Sequence, residues 1–445
     1  MKKKAPAAGD YRAKVRMYRQ GLGDCFLVSL KRSGDAPDYT ILIDCGVILG
    51  TPDASALMTR VANDIVATTN GKIDLLLATH EHWDHLSGFL QASASFERLK
   101  VGQVWLAWTE NPDDPLAAQL RGERKNAIAA LQIAANTLRM SGSDAAARDA
   151  NAISGMLDFF GATGSGTTSD ALDKVKRMAS VRYCRPEDQP VELGDSSVRI
   201  YVLGPPPDAK LIRKLLPGKN SPESYGLALD GSGVLPLDVK ESLGSENSDP
   251  PFGPTYAIPM AIARSMDFFR DYYWGSGENA PPWRSIDTEW LGSASDLALA
   301  LDGATNNTSL VIAIELGGAD VLLFAADAQT GNWESWQDLS WQVDGKEITG
   351  PDLLARTIFY KVGHHGSHNA TLKEHGLESM ANLRIAALPV DHAMAVKKRW
   401  NNMPLPQLVA ALSTKTNGRV LRTDEHLAAP IAGVVETDLY FDIVL

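Results

Sequence analysis

The chain has 445 residues, 44% hydrophobic and 22% charged, enough apolar material for one large enzyme domain with insertions or for two to three ordinary domains. A net charge of −11 argues against non-specific nucleic-acid binding over the whole surface, although a local basic groove or a metal centre can supply positive charge itself. Three cysteines without CxxC spacing (Cys25, Cys45 and Cys184) fit a reducing compartment.

Met1-Lys2-Lys3-Lys4 is not followed by the apolar core of a signal peptide, so a cytoplasmic location is expected. No run of about 18 apolar residues marks a membrane span, and no membrane partner is expected. Lys14–Tyr18, Cys25–Leu30 and Tyr39–Ile43 read as three short strands joined by tight turns, a β-meander closing at Asp44-Cys45-Gly46. Leu57, Val61 and Ile65 recur at helical spacing within residues 53–70. The run Ile73–Ala78 is a buried strand ending at Thr79-His80-Glu81-His82-Trp83-Asp84-His85. Val101–Trp108 is another strand, and residues 110–180 read as a helical insertion.

Strands resume within 181–207, ending at Leu203-Gly204-Pro205-Pro206-Pro207. Residues 208–300 are rich in Gly, Pro and Ser with an aromatic patch, and read as an irregular insertion followed by a helix around 294–301. That insertion is a candidate surface for a protein partner. A hairpin follows, Ser309–Leu316 and Val321–Ala325, delivering Asp327 at its end. Thr357–Val362 is a strand ending at Gly363-His364-His365-Gly366-Ser367-His368. Then come a helix over 372–380, the strand Ile385–Val390, a helix near 406–413 and edge strands.

The recurring pattern is a strand followed by a metal donor: Asp44, then His80/His82/Asp84/His85, then Asp327, then His364/His365. Alternation along an extended segment points His80 and His82 the same way. Imidazole nitrogens and carboxylate oxygens are the donors zinc and its neighbours prefer. No Ser-His-Asp or nucleophilic cysteine arrangement competes. Ser367 stands where a hydroxyl could hold a phosphate oxygen, or it simply forms a turn.

Trp274, Trp283, Trp290, Trp333, Trp336 and Trp341 could stack bases, but burial is the commoner fate of tryptophan. Lys397-Lys398-Arg399 with Arg419 and Arg422 could grip phosphates, yet such runs are usually solvated faces.

His80-Glu81-His82-Trp83-Asp84-His85 resembles the HxHxDH signature of the metallo-β-lactamase superfamily. Ile43-Asp44-Cys45-Gly46 is similar to its first motif, Phe324-Ala325-Ala326-Asp327 to its fourth, and Gly363-His364-His365-Gly366-Ser367 to its fifth. The HHGS form, with Asn307-Thr308-Ser309-Leu310-Val311 before the fourth motif, is similar to the hydrolase domain of the ComEC family of DNA-uptake proteins, and to phosphorylcholine esterases.

The resemblance implies an α/β fold, a four-layer αββα metallo-β-lactamase sandwich with helical and irregular insertions, its halves drawn from residues 1–109 and 301–445. It implies two divalent metal ions, Zn or Mn. His80 and His82 would bind the first, Asp84 and His85 the second, with Asp327 bridging and His365 completing the second. Asp44 and Ser367 would support these ligands, His364 would face substrate, and His368 and His392 would border it. No histidine lies between residues 86 and 326, so the family's third-motif ligand is missing and the first site is expected to be weaker or to prefer a harder metal.

The implied activity is metal-dependent hydrolysis by a dinuclear-metal-activated hydroxide, with Asp84, His364 and Asp327 at the chemistry. The expected substrate is a phosphodiester in a nucleic acid or nucleotide. Alternatives are a small-molecule ester (lactone, thioester or phosphorylcholine ester) and a metal-bound non-catalytic subunit of a multi-protein defence system.

Overall fold

A computed structural model describes residues 12–34, 36–141, 144–161, 166–194, 197–217, 223, 265–272, 286–398 and 400–445. The first three strands are β1 (Ala13–Tyr18), β2 (Phe26–Leu30) and β3 (Tyr39–Ile43), followed by β4 (Lys72–Ala78), β5 (Lys100–Ala107) and β6 (Val181–Cys184). Next are β7 (Val191–Glu192), β8 (Val198–Gly204), β9 (Val311–Leu316) and β10 (Asp320–Phe324). The short hairpin β11 (Ser340–Val343) and β12 (Lys346–Thr349) precedes β13 (Thr357–Lys361), β14 (Ile385–Leu388) and β15 (Val420–Arg422). The last two strands are β16 (Val434–Glu436) and β17 (Tyr440–Val444).

These strands make an α/β fold with two large mixed sheets. One runs β16-β17-β1-β2-β3-β4-β5-β6 and the other β15-β14-β13-β10-β9-β8-β7. Each joins antiparallel strands to parallel ones: β3, β4, β5 and β6 are parallel in the first, and β10, β13, β14 and β15 in the second. Parallel neighbours need crossover connections, which here include the helices Ala54–Thr68 and Trp83–Gln91.

Side-chain alternation decides what each face buries. In β3 and β4, Ile41, Ile43, Leu75 and Leu77 join a core shared with Ile200, Ile312, Leu322, Phe359 and Ile385 of the second sheet. Phe26 meets Phe324 edge-to-face across this core, centroids 5.7 Å apart. The intervening Leu42, Leu76 and Ala78 face the other way, into a cluster with Met58, Val61, Ile65, Leu86, Phe89 and Val175. Those partners lie on helices Ala54–Thr68, Trp83–Gln91 and Thr168–Lys176. Against the second sheet, Trp333 sits edge-to-face on Tyr360 and Trp341 on Tyr201.

The chain divides into two compact units. One comprises Met1–Arg124, Asp158–Gly233 and Asp302–Leu445; the other comprises Lys125–Leu157 and Val234–Leu301. Both sheets and every site residue below belong to the first.

Three features differ from the sequence expectation. The helix expected at 294–301 runs Ile286–Asn306. The helix expected over 372–380 forms as a shorter π-helix, Lys373–Glu378. The last strand, β17, is no edge, because it lies between β16 and β1. Among the described residues no helix is long and apolar enough to cross a membrane.

Candidate metal centre

The donors collect where parallel strands end. Asp44 follows β3, His80–His85 follow β4, Asp327 follows β10, and His364-His365 follow β13. Carboxyl ends of strands are where α/β sheets habitually build sites. Several of these loops are held in the left-handed region by non-glycine residues: Asp44 at φ 54°, Ala326 at 47°, His364 at 39° and His365 at 51°. Such positions cost roughly 1–3 kcal/mol each and persist where the surroundings impose them.

Around Asp44, backbone contact with the start of a helix imposes it. Asp24 N–H donates to Asp84 O and Cys45 N–H to His85 O, at 3.0 and 2.9 Å, while Gly88 N–H donates to Cys45 O at 2.9 Å. This pulls the start of helix Trp83–Gln91 against two loops. The approach is so close that a Cβ on Gly46 would lie 2.5 Å from Asp84 O, and one on Gly23 2.6 Å from the same atom. Gly23 and Gly46 are there for that reason, whereas Gly21 has only ordinary contacts and serves through its φ of 105°.

Asp44 is an organiser. Its Oδ1 accepts from Thr79 N–H at 2.8 Å, and its Oδ2 accepts from the Thr79 hydroxyl and pairs with His85 Nδ1, both at 2.7 Å. His365 Nδ1 lies 2.7 Å from Pro389 O, a carbonyl that can only accept. Both imidazoles are therefore anchored through Nδ1 and present Nε2 to the same space. His365 Nε2 is 2.9 Å from Asp84 Oδ2 and 3.6 Å from Asp327 Oδ2; His85 Nε2 is 3.1 Å from Asp327 Oδ2 and 3.8 Å from Asp84 Oδ2.

Asp24, His85, Asp327 and His365 are all buried, with one ligand atom from each within 4.8 Å of the others, and they could hold a metal ion. Asp24, however, approaches both imidazoles at their anchored Nδ1 edges, at 3.9 and 4.0 Å. Its Oδ2 is engaged by Lys361 Nζ at 2.5 Å. Lys361 also donates to Asp327 Oδ1 at 3.0 Å and to Ala326 O at 2.6 Å. Asp327 Oδ1 takes the His364 N–H as well, at 3.2 Å, which leaves Oδ2 as its free oxygen.

The other histidines complete the cluster. His80 Nε2 and His82 Nδ1 lie 3.0 Å apart, and the His80 ring lies 4.2 Å from that of His85. Glu81, between them, turns away to Arg124 and to the Thr168 hydroxyl. His82 Nε2, His85 Nε2, Asp84 Oδ1 and Asp327 Oδ2 are buried without a hydrogen-bond partner. Buried polar groups left so are rare enough to need a reason, and a site for a cation is one.

Burial dominates the electrostatics and splits the histidines. It keeps His80 well below its usual range and pushes His82 down to about 3 and His364 down to about 4. Burial also opposes the charged forms of His85 and His365, but Asp327, Asp84 and Asp24 outweigh it and raise both. Burial would raise the Asp327 carboxyl, yet Lys361, His85 and His365 hold it well below the carboxylate range. Burial, reinforced by Asp84 and Asp327 and only partly offset by His365, raises Asp302 well above it.

His364 stands apart from the His85–His365 pair. Its Nδ1 meets the Ser367 hydroxyl at 2.8 Å and the Gln329 amide at 3.2 Å, and its Nε2 meets the Asn306 amide at 3.3 Å. Ser367 therefore holds His364 and also donates to Asn369 Oδ1. His368 and His392 are exposed; His392 Nδ1 is tied to Met403 O at 2.8 Å, so neither joins the cluster.

Trp333, Trp336 and Trp341 are buried, with indole N–H groups bonded to Ala370 O, Asn332 Oδ1 and Pro186 O. They are framework. Trp274 and Trp283 lie outside the described residues, as does Arg399. Lys398 pairs with Asp158, and Arg422 with Asp424 and Glu425. The three cysteines are free and buried.

Four residues of the cluster escaped the sequence reading: Asp24, Lys361, Asp302 and Asn306. Asp24 precedes a strand instead of following one. Lys361 had a usable signal, a lone cation in the run Thr357-Ile358-Phe359-Tyr360-Lys361-Val362 that burial obliges to find a partner. No family model and no curated protein matches the chain.

Proposed function

We propose that the chain is a metal-dependent hydrolase built on the four-layer αββα framework of the metallo-β-lactamase superfamily, holding two divalent cations and cleaving phosphodiesters. One observation carries this reading. Asp84 Oδ2, His85 Nε2, Asp327 Oδ2 and His365 Nε2 are separated by 2.9–3.8 Å along the four carboxylate–imidazole edges. A tetrahedron with zinc bonds of about 2.0–2.1 Å has edges of about 3.4 Å. These four residues would hold the second cation.

His80 and His82 would hold the first, through the Nε2 and Nδ1 atoms that face each other. Asp327 would serve both through Oδ2, because Lys361 and the His364 N–H occupy its Oδ1. Charge supports two cations rather than one. Asp24, Asp44, Asp84, Asp302 and Asp327 are buried around the site with Lys361. With His85 and His365 neutral as ligands and all five carboxylates ionised, Lys361 would leave four negative charges, which two divalent ions would cancel. Without metal, Asp302 is raised toward its neutral form and His85 and His365 carry charge instead.

When bound, the two cations would lower the pKa of a water and stabilise charge on attacking and leaving oxygens. The chain's own groups do the rest. Asp44 and Pro389 O fix the tautomers of His85 and His365, aiming Nε2 inward. Ser367 and the Gln329 amide at Nδ1 and the Asn306 amide at Nε2 hold the His364 ring in place beside the centre. Burial keeps that ring neutral, so it would meet substrate as an uncharged hydrogen-bonding group.

A second reading, a small-molecule ester hydrolase, is favoured by one feature. His364 and Ser367 are only 6% and 8% exposed and the other donors less, which suits a small substrate better than a polymer.

Purified protein with Mn²⁺ or Zn²⁺ should cleave one of single-stranded DNA, duplex DNA, cyclic nucleotides or the ester panel. Asp327→Ala and His82→Ala should lower turnover more than about 100-fold. Cleavage of nothing on that panel, or cleavage surviving both substitutions, would overturn the proposal.

A further inference from the structure

We infer that Asp302 orients His82 and so firms the first cation position, to which the sequence supplies one ligand fewer than to the second; this rests on the two-cation reading above. His80 and His82 face each other through Nε2 and Nδ1 at 3.0 Å. The other nitrogen of His82, Nε2, is turned away, buried and without a hydrogen-bond partner. Asp302 Oδ1 lies 3.8 Å from it, and that oxygen is buried and partnerless too. Two complementary orphans thus face each other, less than an ångström beyond hydrogen-bond reach.

Both side chains are held in this attitude. Asp302 Oδ2 accepts from Asn306 Nδ2 at 3.1 Å, one helical turn along Ile286–Asn306. The His82 ring is packed by Phe159 and Phe160, with centroids 5.2 and 4.9 Å away. Phe159 is backed by Trp400, stacked at 4.8 Å.

One arrangement relieves both orphans. With its proton on Nε2, His82 donates to Asp302, and the Nδ1 lone pair turns toward His80 and the cation they share. Histidine ligands commonly give their second N–H to a carboxylate in this way, which fixes the tautomer and raises ligand basicity. Direct ligation by Asp302 fits less well. Its free oxygen lies at the Nε2 edge of His82, while His80 lies at the Nδ1 edge. Asp302 is a positioning residue.

The test is a metal count and competition titration, with Zn²⁺ and then Co²⁺ for its absorption spectrum, on the full chain and on Asp302→Ala, Asp302→Asn and His365→Ala. The parent chain should bind two equivalents. Asp302→Ala should weaken one of them about 10–100-fold. Asp302→Asn, whose amide oxygen still accepts from His82, should fall between the two. His365→Ala should weaken the other equivalent.

Melting after chelation separates misfolding from a lost positioning role: Asp302→Asn, nearly isosteric, should melt no lower than the parent. Unchanged affinity for both equivalents in Asp302→Asn and Asp302→Ala overturns the inference while leaving the two-cation reading intact. Equal losses in the two variants, with a changed Co²⁺ spectrum, would make Asp302 a ligand and overturn the positioning role. A parent chain that binds no metal overturns both readings.

Discussion

Lys361 shows how one side chain sets the character of the cluster. Burial disfavours its ammonium, but Asp24 and Asp327 more than restore it and raise its pKa. The same carboxylates, with Asp84, hold His85 and His365 charged beyond the ordinary imidazole range of about 6.5. In the metal-free protein, stability from these two imidazolium ions is fully present below about pH 6.5 and is lost as pH rises through their folded-state values. A cation needs them neutral, so its uptake must expel protons and its affinity must rise over the same interval. Zn²⁺ calorimetry at about pH 6 and about pH 8, in buffers of different ionisation enthalpy, should show proton release and tighter binding at the higher pH. Uptake without proton release would mean that His85 and His365 are not ligands. The histidines and Asp327 were legible because each follows an apolar strand. Asp302 was not, because the helix that carries it was expected to stop at 301.

At the scale of elements, the site depends on how tightly two loops grip the start of helix Trp83–Gln91. A Cβ on Gly46 would lie 2.4 Å from Asp84 C and 2.6 Å from His85 C, both backbone atoms that cannot swing aside. Gly46→Ala should therefore cost about 2–4 kcal/mol in denaturant unfolding and displace the Asp84-His85 pair. Gly122→Ala is the matched control. It lies within helix Pro115–Ser141 with nothing within 4 Å of the added carbon, and should gain about 0.5–1 kcal/mol. Equal effects at the two positions would show that the close approach does not hold the site. Long apolar strands such as β4 and β9 were readable from sequence because their runs are uninterrupted. The short β6, β7, β11 and β12 were not, since two to four partly exposed residues give no periodicity to detect. The left-handed turn at His364-His365 has no sequence signal either, because only the surrounding contacts force non-glycine residues there.

For the molecule as a whole, the proposed ligands come from both sheets: Asp84 and His85 from beyond β4, Asp327 and His365 from beyond β10 and β13. Cation removal should therefore loosen the packing of one sheet on the other. Chelation is expected to lower the melting temperature by about 5–10 °C, with recovery on adding Zn²⁺ or Mn²⁺; an unchanged melt would argue against a structural contribution. The pairing of β17 with β1 could not be read from the chain, since strand order is settled by packing and not by local pattern.

The contact between Asp84 and His365 joins residues 281 apart in sequence. A cation gripped by both would close a loop of that length, a restraint worth about 5–6 kcal/mol on the loop-length scaling used for covalent cross-links. It also sets an order of events in biosynthesis. The half-site at His80–His85 leaves the ribosome long before its complement at Asp327 and His365. On the two-cation reading, the complete site would exist only once β13 has docked, and the metal taken up would reflect the supply of ions at that moment as well as the donors themselves.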